Sequence, residues 1–272
     1  MRRDWRAAAA LAVVVALGGA CSGPAHPATT TSGPVRTAVR IMPLGDSITG
    51  TPGCWRAYLW DRLRRAGFAD GNTPPLPTGT AAAPTPAGAR AAIDFVGTRG
   101  RQACPTDYPR EYPRHDGDNE GHGGITAERM VADNALPGWL ERARPRVVLM
   151  HLGTNDVWRG RTTRQVLDAY TALVAQLRAA DPAMVVLVAQ ILPMDPPDCP
   201  SCAERVTALN RAIPAWVNAT STPASPVLPV DLWTGFDTAK DTSDGVHPVW
   251  SGNEKIAARW FAALEPVLAG MS

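Results

Sequence analysis

The 272-residue sequence predicts an α/β fold, in which a doubly wound sheet of about five parallel strands forms the middle of three layers. Short apolar runs of strand length alternate along the chain with longer segments of helical periodicity, which is the order that parallel sheets require. The run 184–192 shows no alternation of apolar and polar residues, as expected of a strand covered by helices on both faces. Because the sequence contains no internal repeat, residues 38–272 are predicted to form one domain.

The predicted elements are bounded by turn residues and capping residues. Strands are predicted at 38–44, 92–97, 147–152, 184–192 and 227–231. Helices are predicted at 51–67, 125–134, 136–144, 163–180, 203–219 and 252–268. Thr51 and Pro52 are expected to open the first helix, as its N-cap and its first helical residue.

The N-terminus has the pattern of an export signal. Three arginines precede the apolar run 7–16, which is too short to span a bilayer, so residues 1–21 are predicted to be a signal peptide. The stretch 17–21 approximates a bacterial lipobox with its leucine one place early, so lipidation of Cys21 and simple secretion both stay open. Residues 22–37 are expected to be a flexible tether. The protein is therefore expected outside the cell, either free or anchored to the outer face of the membrane.

Charge and cysteine content agree with that location. The net charge is +2, and no basic run beyond the two arginines at the start indicates a nucleic-acid partner. Cys199 and Cys202 are close enough to bond to each other, which leaves Cys54 to pair with Cys104 in an oxidising compartment. The alternative for the C-x-x-C pair, a redox motif or half a zinc site, is disfavoured because no second C-x-x-C is present. A monomer is expected.

Two segments are predicted to be loops. Residues 72–90 are rich in proline and alanine and are expected to form a disordered insertion without a catalytic role. Residues 100–124 are dense in glycine, aspartate and proline, and a loop of that length in a compact domain is usually functional. Its alternating acids, Asp116, Asp118 and Glu120, admit a calcium site but lack the spacing of an EF-hand, so a solvated loop is favoured.

A serine follows the first predicted strand directly, in Gly45-Asp46-Ser47. In open α/β sheets, ligands bind beyond the carboxyl ends of the strands, and Ser47 is therefore a candidate nucleophile. A serine hydroxyl needs an adjacent base. His247 is the candidate base, because Asp244 stands three residues earlier and can accept a hydrogen bond from its Nδ1. The alternatives are a turn serine and a surface histidine.

Four blocks of the chain resemble the GDS-type, or SGNH, hydrolases. They are Gly45-Asp46-Ser47, the glycine-rich stretch 120–124, His151-Leu152-Gly153-Thr154-Asn155-Asp156, and the stretch 244–248. Further stretches, among them PGCWRAYLW, LPGWL, LVAQILPM and IPAW, resemble carbohydrate esterase family 3, typified by acetylxylan esterases. The resemblance runs from about Arg40 to the end of the chain. It implies a flavodoxin-like SGNH hydrolase fold and a serine esterase that needs no cofactor and no metal.

An esterase needs fixed hydrogen-bond donors for the oxyanion of its tetrahedral intermediate. The backbone N–H of Ser47, the N–H of Gly124 and the side-chain amide of Asn155 are assigned to this role. Gly123 is the alternative to Gly124, because the family more often has Ser-Gly at this point. Asp46 and Asp156 are expected to be structural hydrogen-bonding residues near the site.

Three tryptophans follow the site blocks in the sequence. Trp55, Trp158 and Trp250 are candidates for stacking on sugar rings, since an indole offers a flat apolar face with a polar edge. His122 is a further candidate for contact with substrate. Core packing is the alternative for each tryptophan.

These observations predict a secreted serine esterase that removes O-acetyl groups from a polysaccharide such as xylan through an acyl-enzyme on Ser47. A lipase or general small-ester hydrolase on the same fold is one alternative, which the polar loop before Gly124 disfavours. A catalytically inactive surface protein that binds carbohydrate is the other. The presence of every expected site residue argues against it.

Overall fold

The sheet has seven parallel strands in the computed structural model, which describes residues 38–71, 90–100, 104 and 115–271. The strands are β1 (Val39–Gly45), β2 (Ala69–Asp70), β3 (Ala92–Phe95), β4 (Glu120–Gly121), β5 (Val147–His151), β6 (Val185–Gln190) and β7 (Val227–Asp231). Their order across the sheet is β2-β3-β1-β5-β6-β7, and β4 pairs with β1. Strands β3 and β2 therefore lie on one side of β1, and strands β5, β6 and β7 lie on the other. The carboxyl ends of β1 and β5 flank the crevice where the strand order reverses.

The predicted α/β class and doubly wound sheet are confirmed, but the expected number of strands is two short. The two strands that the sequence pattern does not show, β2 and β4, have only two residues each, too few for any periodicity. The register of β4 pairs Leu44 with Glu120 and Gly45 with Gly121. Because β3 pairs with β1 only as far as Ile41, β4 continues the sheet along the carboxyl end of β1.

Helices cover the sheet in two groups. They are α1 (Ser47–Gly50), α2 (Trp55–Arg65), α3 (Ala127–Ala132), α4 (Ala135–Ala143), α5 (Thr154–Trp158), α6 (Thr163–Ala180), α7 (Cys202–Thr220), α8 (Thr238–Asp241) and α9 (Trp250–Ala269). Helix α2 packs on α9, and α6 packs on α3, α4 and α7. Strands β1, β5 and β6 are buried almost throughout, and each of their buried aliphatic side chains contributes about 1.5–3 kcal/mol of hydrophobic stabilisation.

The start of α2 differs from the prediction. Thr51 is the C-cap of α1 and donates its N–H to the Ser47 carbonyl, and the Thr51–Pro52 peptide bond is cis. The chain then turns at Gly53, which has φ +58°, before α2 begins at Trp55. The prediction of Thr51 as N-cap is wrong because proline suits a tight turn as well as a first helical turn.

The predicted disulfide pairing is confirmed. Cys54 bonds to Cys104 with 5.8 Å between their Cα atoms, and Cys199 bonds to Cys202 with 5.4 Å. The predicted signal peptide and tether, with Cys21, lie outside the described residues, as does the predicted insertion apart from its last residue. None of the helices within the described ranges has the length and apolar character to cross a membrane.

Candidate active site

The turn after β1 presents Ser47 at the first position of α1. The Asp46 side chain caps this helix by accepting a hydrogen bond from the Ile48 N–H at 3.0 Å. Asp46 is completely buried, and this burial raises its pKa to about 6, against the lowering effect of that hydrogen bond. The expectation that Asp46 is a structural hydrogen-bonding residue is confirmed. Ser47 itself remains partly accessible at the edge of the sheet.

The imidazole of His247 reaches Ser47 from the loop between α8 and α9. Its Nε2 lies 2.9 Å from Ser47 Oγ, although the two residues are 200 positions apart in the sequence. Its Nδ1 lies 2.7 Å from Asp244 Oδ2. The arrangement is chemically consistent when Nδ1–H donates to the carboxylate and Nε2 accepts from the serine hydroxyl. The structure therefore brings the three predicted residues into one hydrogen-bonded row.

Asp244 holds both the imidazole and the loop. Its Oδ1 accepts hydrogen bonds from the His247 N–H at 2.7 Å and the Val246 N–H at 3.0 Å. Partial burial raises the pKa of Asp244, but these bonds and the imidazole outweigh burial and hold it below its usual value. The side chains of His247 and Asp244 are 40% and 50% exposed, so a large substrate can approach the row from solvent.

The loop that follows β6 supports the His247 loop. The Asp195 N–H donates to the Gly245 carbonyl at 2.9 Å. Gly245 has φ +82°, and a Cβ there would lie 2.4 Å from the Asp195 carbonyl oxygen. Only glycine fits this contact between two backbones.

The glycine-rich segment passes directly beside Ser47. A Cβ placed on Gly123 would lie 3.9 Å from the Ser47 Cβ, which makes Gly123 an immediate neighbour of the serine. Gly124 supplies a turn with φ +75°, and a Cβ placed on it would have nothing within 4 Å. The two candidate glycines for the oxyanion thus differ in direction: a Cβ on Gly123 would point toward Ser47, whereas a Cβ on Gly124 would point into open space.

Asn155 lies in α5, which follows β5. Its Nδ2 donates to the Ile125 carbonyl at 3.0 Å, immediately after the glycine-rich segment. A primary amide has two N–H groups, so one remains for a ligand. Asp156 accepts hydrogen bonds from Ala127 N and Glu128 N at 2.9 and 3.3 Å, as expected of a structural residue, and burial raises its pKa. These bonds fix α5 against the first turn of α3.

The candidate sugar contacts have different environments. Trp55 is 1% exposed and packs on Trp260, so its prediction as a substrate contact is wrong. Trp158 is partly buried against the core. Trp250 is 59% exposed, which leaves its indole free to meet a substrate.

Three side chains contact His122. Its ring stacks on Trp139 with 4.2 Å between centroids, and its Nε2 lies 2.5 Å from Glu120 Oε1. Its Nδ1 lies 3.2 Å from a guanidinium nitrogen of Arg99. The side chain is only 18% exposed, so these contacts give it a structural role and leave little surface for substrate.

The acidic segment is more ordered than the predicted solvated loop. Glu120 is buried in β4 and accepts hydrogen bonds from the backbone N–H and the hydroxyl of Thr98, both at 2.7 Å. Asp116 accepts from the Phe95 N–H at 2.8 Å, and burial raises its pKa to about 7. The prediction of a solvated loop is wrong, because the hydrogen-bond donors of this segment, Thr98 and Phe95, lie far from it in the sequence and the local pattern does not show them. Within the described ranges, histidine, cysteine and acidic side chains form no group of three that would hold a metal ion.

Arg56 is a supporting residue that sequence reasoning missed. It is buried, and its guanidinium donates to the Thr49 carbonyl at 2.8 Å, the Gly50 carbonyl at 3.2 Å and the Gly117 carbonyl. It therefore ties the end of α1 to the segment that leads into β4. The sequence feature that indicates this role is the position of an arginine within the apolar residues at the start of α2.

Comparisons with known proteins find a family and several relatives for this chain. A model of the GDSL-like lipase/acylhydrolase family matches residues 44–255. A carbohydrate esterase family 3 structure from Talaromyces cellulolyticus has 31% identity and a TM-score of 0.70, covering 86% of this chain and 100% of the other. An acetyl esterase mutant with acetate ion has the same identity and coverage, with a TM-score of 0.68.

More distant relatives give the same class. A family 3 carbohydrate esterase of Clostridium thermocellum has 26% identity and a TM-score of 0.65, covering 86% of this chain and 98% of the other. A multidomain esterase of Ruminococcus flavefaciens is 25% identical over 250 residues, which is 85% of this chain. The chain spans 29% of the length of that protein.

Fold and comparisons together define an α/β esterase or acylhydrolase with the SGNH architecture. The chain belongs to the GDSL-like lipase/acylhydrolase family. Its structural neighbours include acetyl esterases of carbohydrate esterase family 3.

Proposed function

We propose that this protein is a serine esterase that removes O-acetyl groups from a polysaccharide through a covalent acetyl-enzyme. The observation that carries the proposal is the row Asp244–His247–Ser47, with separations of 2.7 and 2.9 Å between the bonding atoms. A carboxylate, an imidazole and a hydroxyl in this order are the parts that activate a serine nucleophile.

In the first half of the proposed reaction, Ser47 Oγ attacks the acetyl carbonyl while His247 Nε2 takes its proton. Asp244 stabilises the resulting imidazolium through Nδ1–H. The oxyanion is assigned to the N–H groups of Ser47 and Gly124, with Gly123 as the alternative, and to the Asn155 amide. When the intermediate collapses, the bond to the sugar oxygen breaks and that oxygen receives the proton from His247.

In the second half, a water molecule attacks the acetyl-enzyme and gives its proton to His247. Collapse of this second intermediate breaks the bond to Ser47 Oγ, returns the proton from His247 to the serine and releases acetic acid, which ionises to acetate in water. The same donors stabilise both oxyanions. The residues named here balance every proton in the cycle, so the chemistry needs no further group.

Two observations support an acetylated polysaccharide as the substrate. Structural neighbours with 31% identity are described as an acetyl esterase and a carbohydrate esterase of family 3. The row of reacting groups is half-exposed, and Trp250 lies three positions after His247 at 59% exposure. An open site, with an exposed indole three residues after its histidine, suits a long chain of sugars, whose apolar ring faces stack on aromatic side chains.

We also propose that the protein works outside the cell as a monomer. Two disulfides are compatible with an oxidising compartment. A signal peptide at 1–21 would bring it there, and lipidation of Cys21 would keep it at the membrane surface. Fractionation of cells that express the full chain and its Cys21→Ser variant tests the anchor, because only the loss of a lipid would move the protein from the membrane to the medium.

The decisive experiment compares the wild-type protein with Ser47→Ala on acetylated xylan, acetylated chitin oligomers and nitrophenyl esters of increasing acyl length. The variant should lose about 10³-fold or more of kcat. A fluorophosphonate probe should label the wild type at Ser47 and leave the exposed Ser243 unmodified. Unchanged hydrolysis by Ser47→Ala would falsify the proposal, and a preference for long acyl chains would favour a lipase instead.

A further inference from the structure

The side chain of Asn253 is a buried bridge between two elements that meet at the active site. Asn253 is 7% exposed and lies in the first turn of α9. Its Oδ1 accepts a hydrogen bond from the Trp55 N–H at 2.9 Å. Its Nδ2 donates to the carbonyls of Pro248 and Val249 at 3.1 and 2.9 Å. Pro248 is the residue immediately after His247, so the amide joins the His247 loop to the start of α2.

The bridge continues through Trp55 to the nucleophile. The indole Nε1 of Trp55 donates to the Ile48 carbonyl at 3.0 Å, and Ile48 is the residue immediately after Ser47. Trp55 is buried and packs on Trp260 of α9. Two side chains thus connect the neighbour of Ser47 with the neighbour of His247, by hydrogen bonds that are buried at Trp55 and partly buried at Pro248.

Other bonds shape the His247 loop without reaching the Ser47 segment. The Val249 N–H donates to the Asp241 carbonyl at 2.8 Å, and the Ser243 N–H donates to the His247 carbonyl at 3.0 Å. These bonds tie the loop to α8 and to itself. The Asn253–Trp55 bridge therefore differs from them, because it fixes the loop relative to the serine.

We infer that Asn253 is a positioning residue that sets the separation of His247 Nε2 and Ser47 Oγ, acting through Trp55. The inference rests on the proposed function, because it assumes that these two atoms exchange a proton. A displacement of about 1 Å in reacting groups can cost about 10²-fold in rate, even when it originates away from the chemistry. Loss of the bridge should therefore lower turnover more than it lowers substrate binding.

Asn253→Asp and Asn253→Ser test the inference, because each substitution removes a different part of the bridge. The aspartate keeps an acceptor for the Trp55 N–H but has no donor for the Pro248 carbonyl, and the serine shortens the side chain. On 4-nitrophenyl acetate, each variant should lower kcat about 10–100-fold while KM stays within about twofold. The rate of Ser47 labelling by a fluorophosphonate should fall in parallel, since labelling also depends on His247.

Asn210→Asp is the matched control. Asn210 is also buried in a helix, and its amide bonds to the Ile191 N–H and carbonyl, both at 2.8 Å. These bonds tie α7 to the end of β6 and involve neither Ser47 nor His247. The control should lower the midpoint of thermal unfolding as much as Asn253→Asp does, and should retain kcat within about twofold.

A second arm tests the path through Trp55. Trp55→Phe removes the Nε1 donor and keeps the backbone N–H. Because this substitution and Asn253→Asp interrupt the same bridge, the double variant should lose less kcat than the product of the two single losses. Wild-type kcat in Asn253→Asp, or full multiplicativity in the double variant, would overturn the inference. Neither result would change the proposed function, which is tested separately by the activity of Ser47→Ala and by the preference for acyl length.

Discussion

Gly50 and Gly121 pack backbone against backbone. A Cβ on Gly50 would lie 2.6 Å from the Gly121 carbonyl oxygen, and a Cβ on Gly121 would lie 2.3 Å from the Gly50 nitrogen. Gly50 ends the helix that begins with Ser47, and Gly121 lies two residues before Gly123. This contact therefore sets the distance between the serine and the glycines assigned to the oxyanion.

Replacement of Gly121 by alanine should consequently damage the site. The added methyl group must displace one backbone, with an expected cost of about 1–3 kcal/mol in stability and about 10²-fold in kcat/KM. Gly138→Ala is the control, because a Cβ at this position in α4 meets nothing within 4 Å. The control should gain about 0.5–1 kcal/mol and keep full activity. Urea unfolding and 4-nitrophenyl acetate hydrolysis measure both quantities.

Asp244→Asn tests the charge that faces His247. The amide keeps the shape of the carboxylate but removes the partner that stabilises the imidazolium, so kcat should fall about 10²–10⁴-fold. Asp237→Asn, at the partly exposed N-cap of the neighbouring α8, should keep kcat within about twofold. Retention of wild-type kcat by Asp244→Asn would show that His247 works without its carboxylate partner.

The site residues were predictable because each one stands in a short local motif. Ser47 directly follows an apolar strand, and Asp244 and His247 are only three positions apart, a separation that a single turn spans. The pairing of β1 with β5 then puts the carboxyl ends of these strands side by side, so that Ser47 and Asn155 both follow strands that end at the same edge of the sheet.

The supporting residues were not predictable in this way, since their roles depend on partners far along the chain. Trp55 is buried by α9, about 200 residues later, and the sequence around it does not show this. Asn253 looks like a surface residue in its helix until its partner, the Trp55 N–H, is known. The strand at Glu120 is too short for any periodic signal.

Trp250→Ala separates polymer binding from chemistry. If the indole stacks on a sugar ring, its removal should lower kcat/KM on acetylated xylan about 5–30-fold, the equivalent of about 1–2 kcal/mol. Hydrolysis of 4-nitrophenyl acetate, which has no sugar, should not change. Trp250→Tyr should recover most of the activity on xylan, because a phenol ring also stacks. Equal losses on both substrates would place Trp250 in the chemistry or in the fold of the loop instead.

His151 should make the folded state sensitive to acid. It is 2% exposed, and neither ring nitrogen has a hydrogen-bond partner among the described residues. Burial lowers its pKa from 6.5 to about 4. Between these two values the unfolded chain binds a proton that the folded chain does not, so the free energy of unfolding decreases as the pH is lowered from about 6.5 to about 4. The full effect is about 3 kcal/mol.

The contribution of His151 to the pH dependence of stability can be distinguished from that of Asp46, because the two have opposite signs. Burial raises the pKa of Asp46 from 3.8 to about 6, so its contribution to stability decreases as the pH rises through that range. His151→Phe leaves Asp46 in place and removes only the titration of the imidazole. The unfolding free energy of His151→Phe, relative to the wild type, should increase as the pH falls from 6.5 to 4. The unfolding free energy of Asp46→Asn, relative to the wild type, should instead increase as the pH rises from 4 to 6. Urea unfolding at half-unit pH intervals measures both differences, and parallel curves for His151→Phe and the wild type would show that the imidazole is not kept neutral by burial.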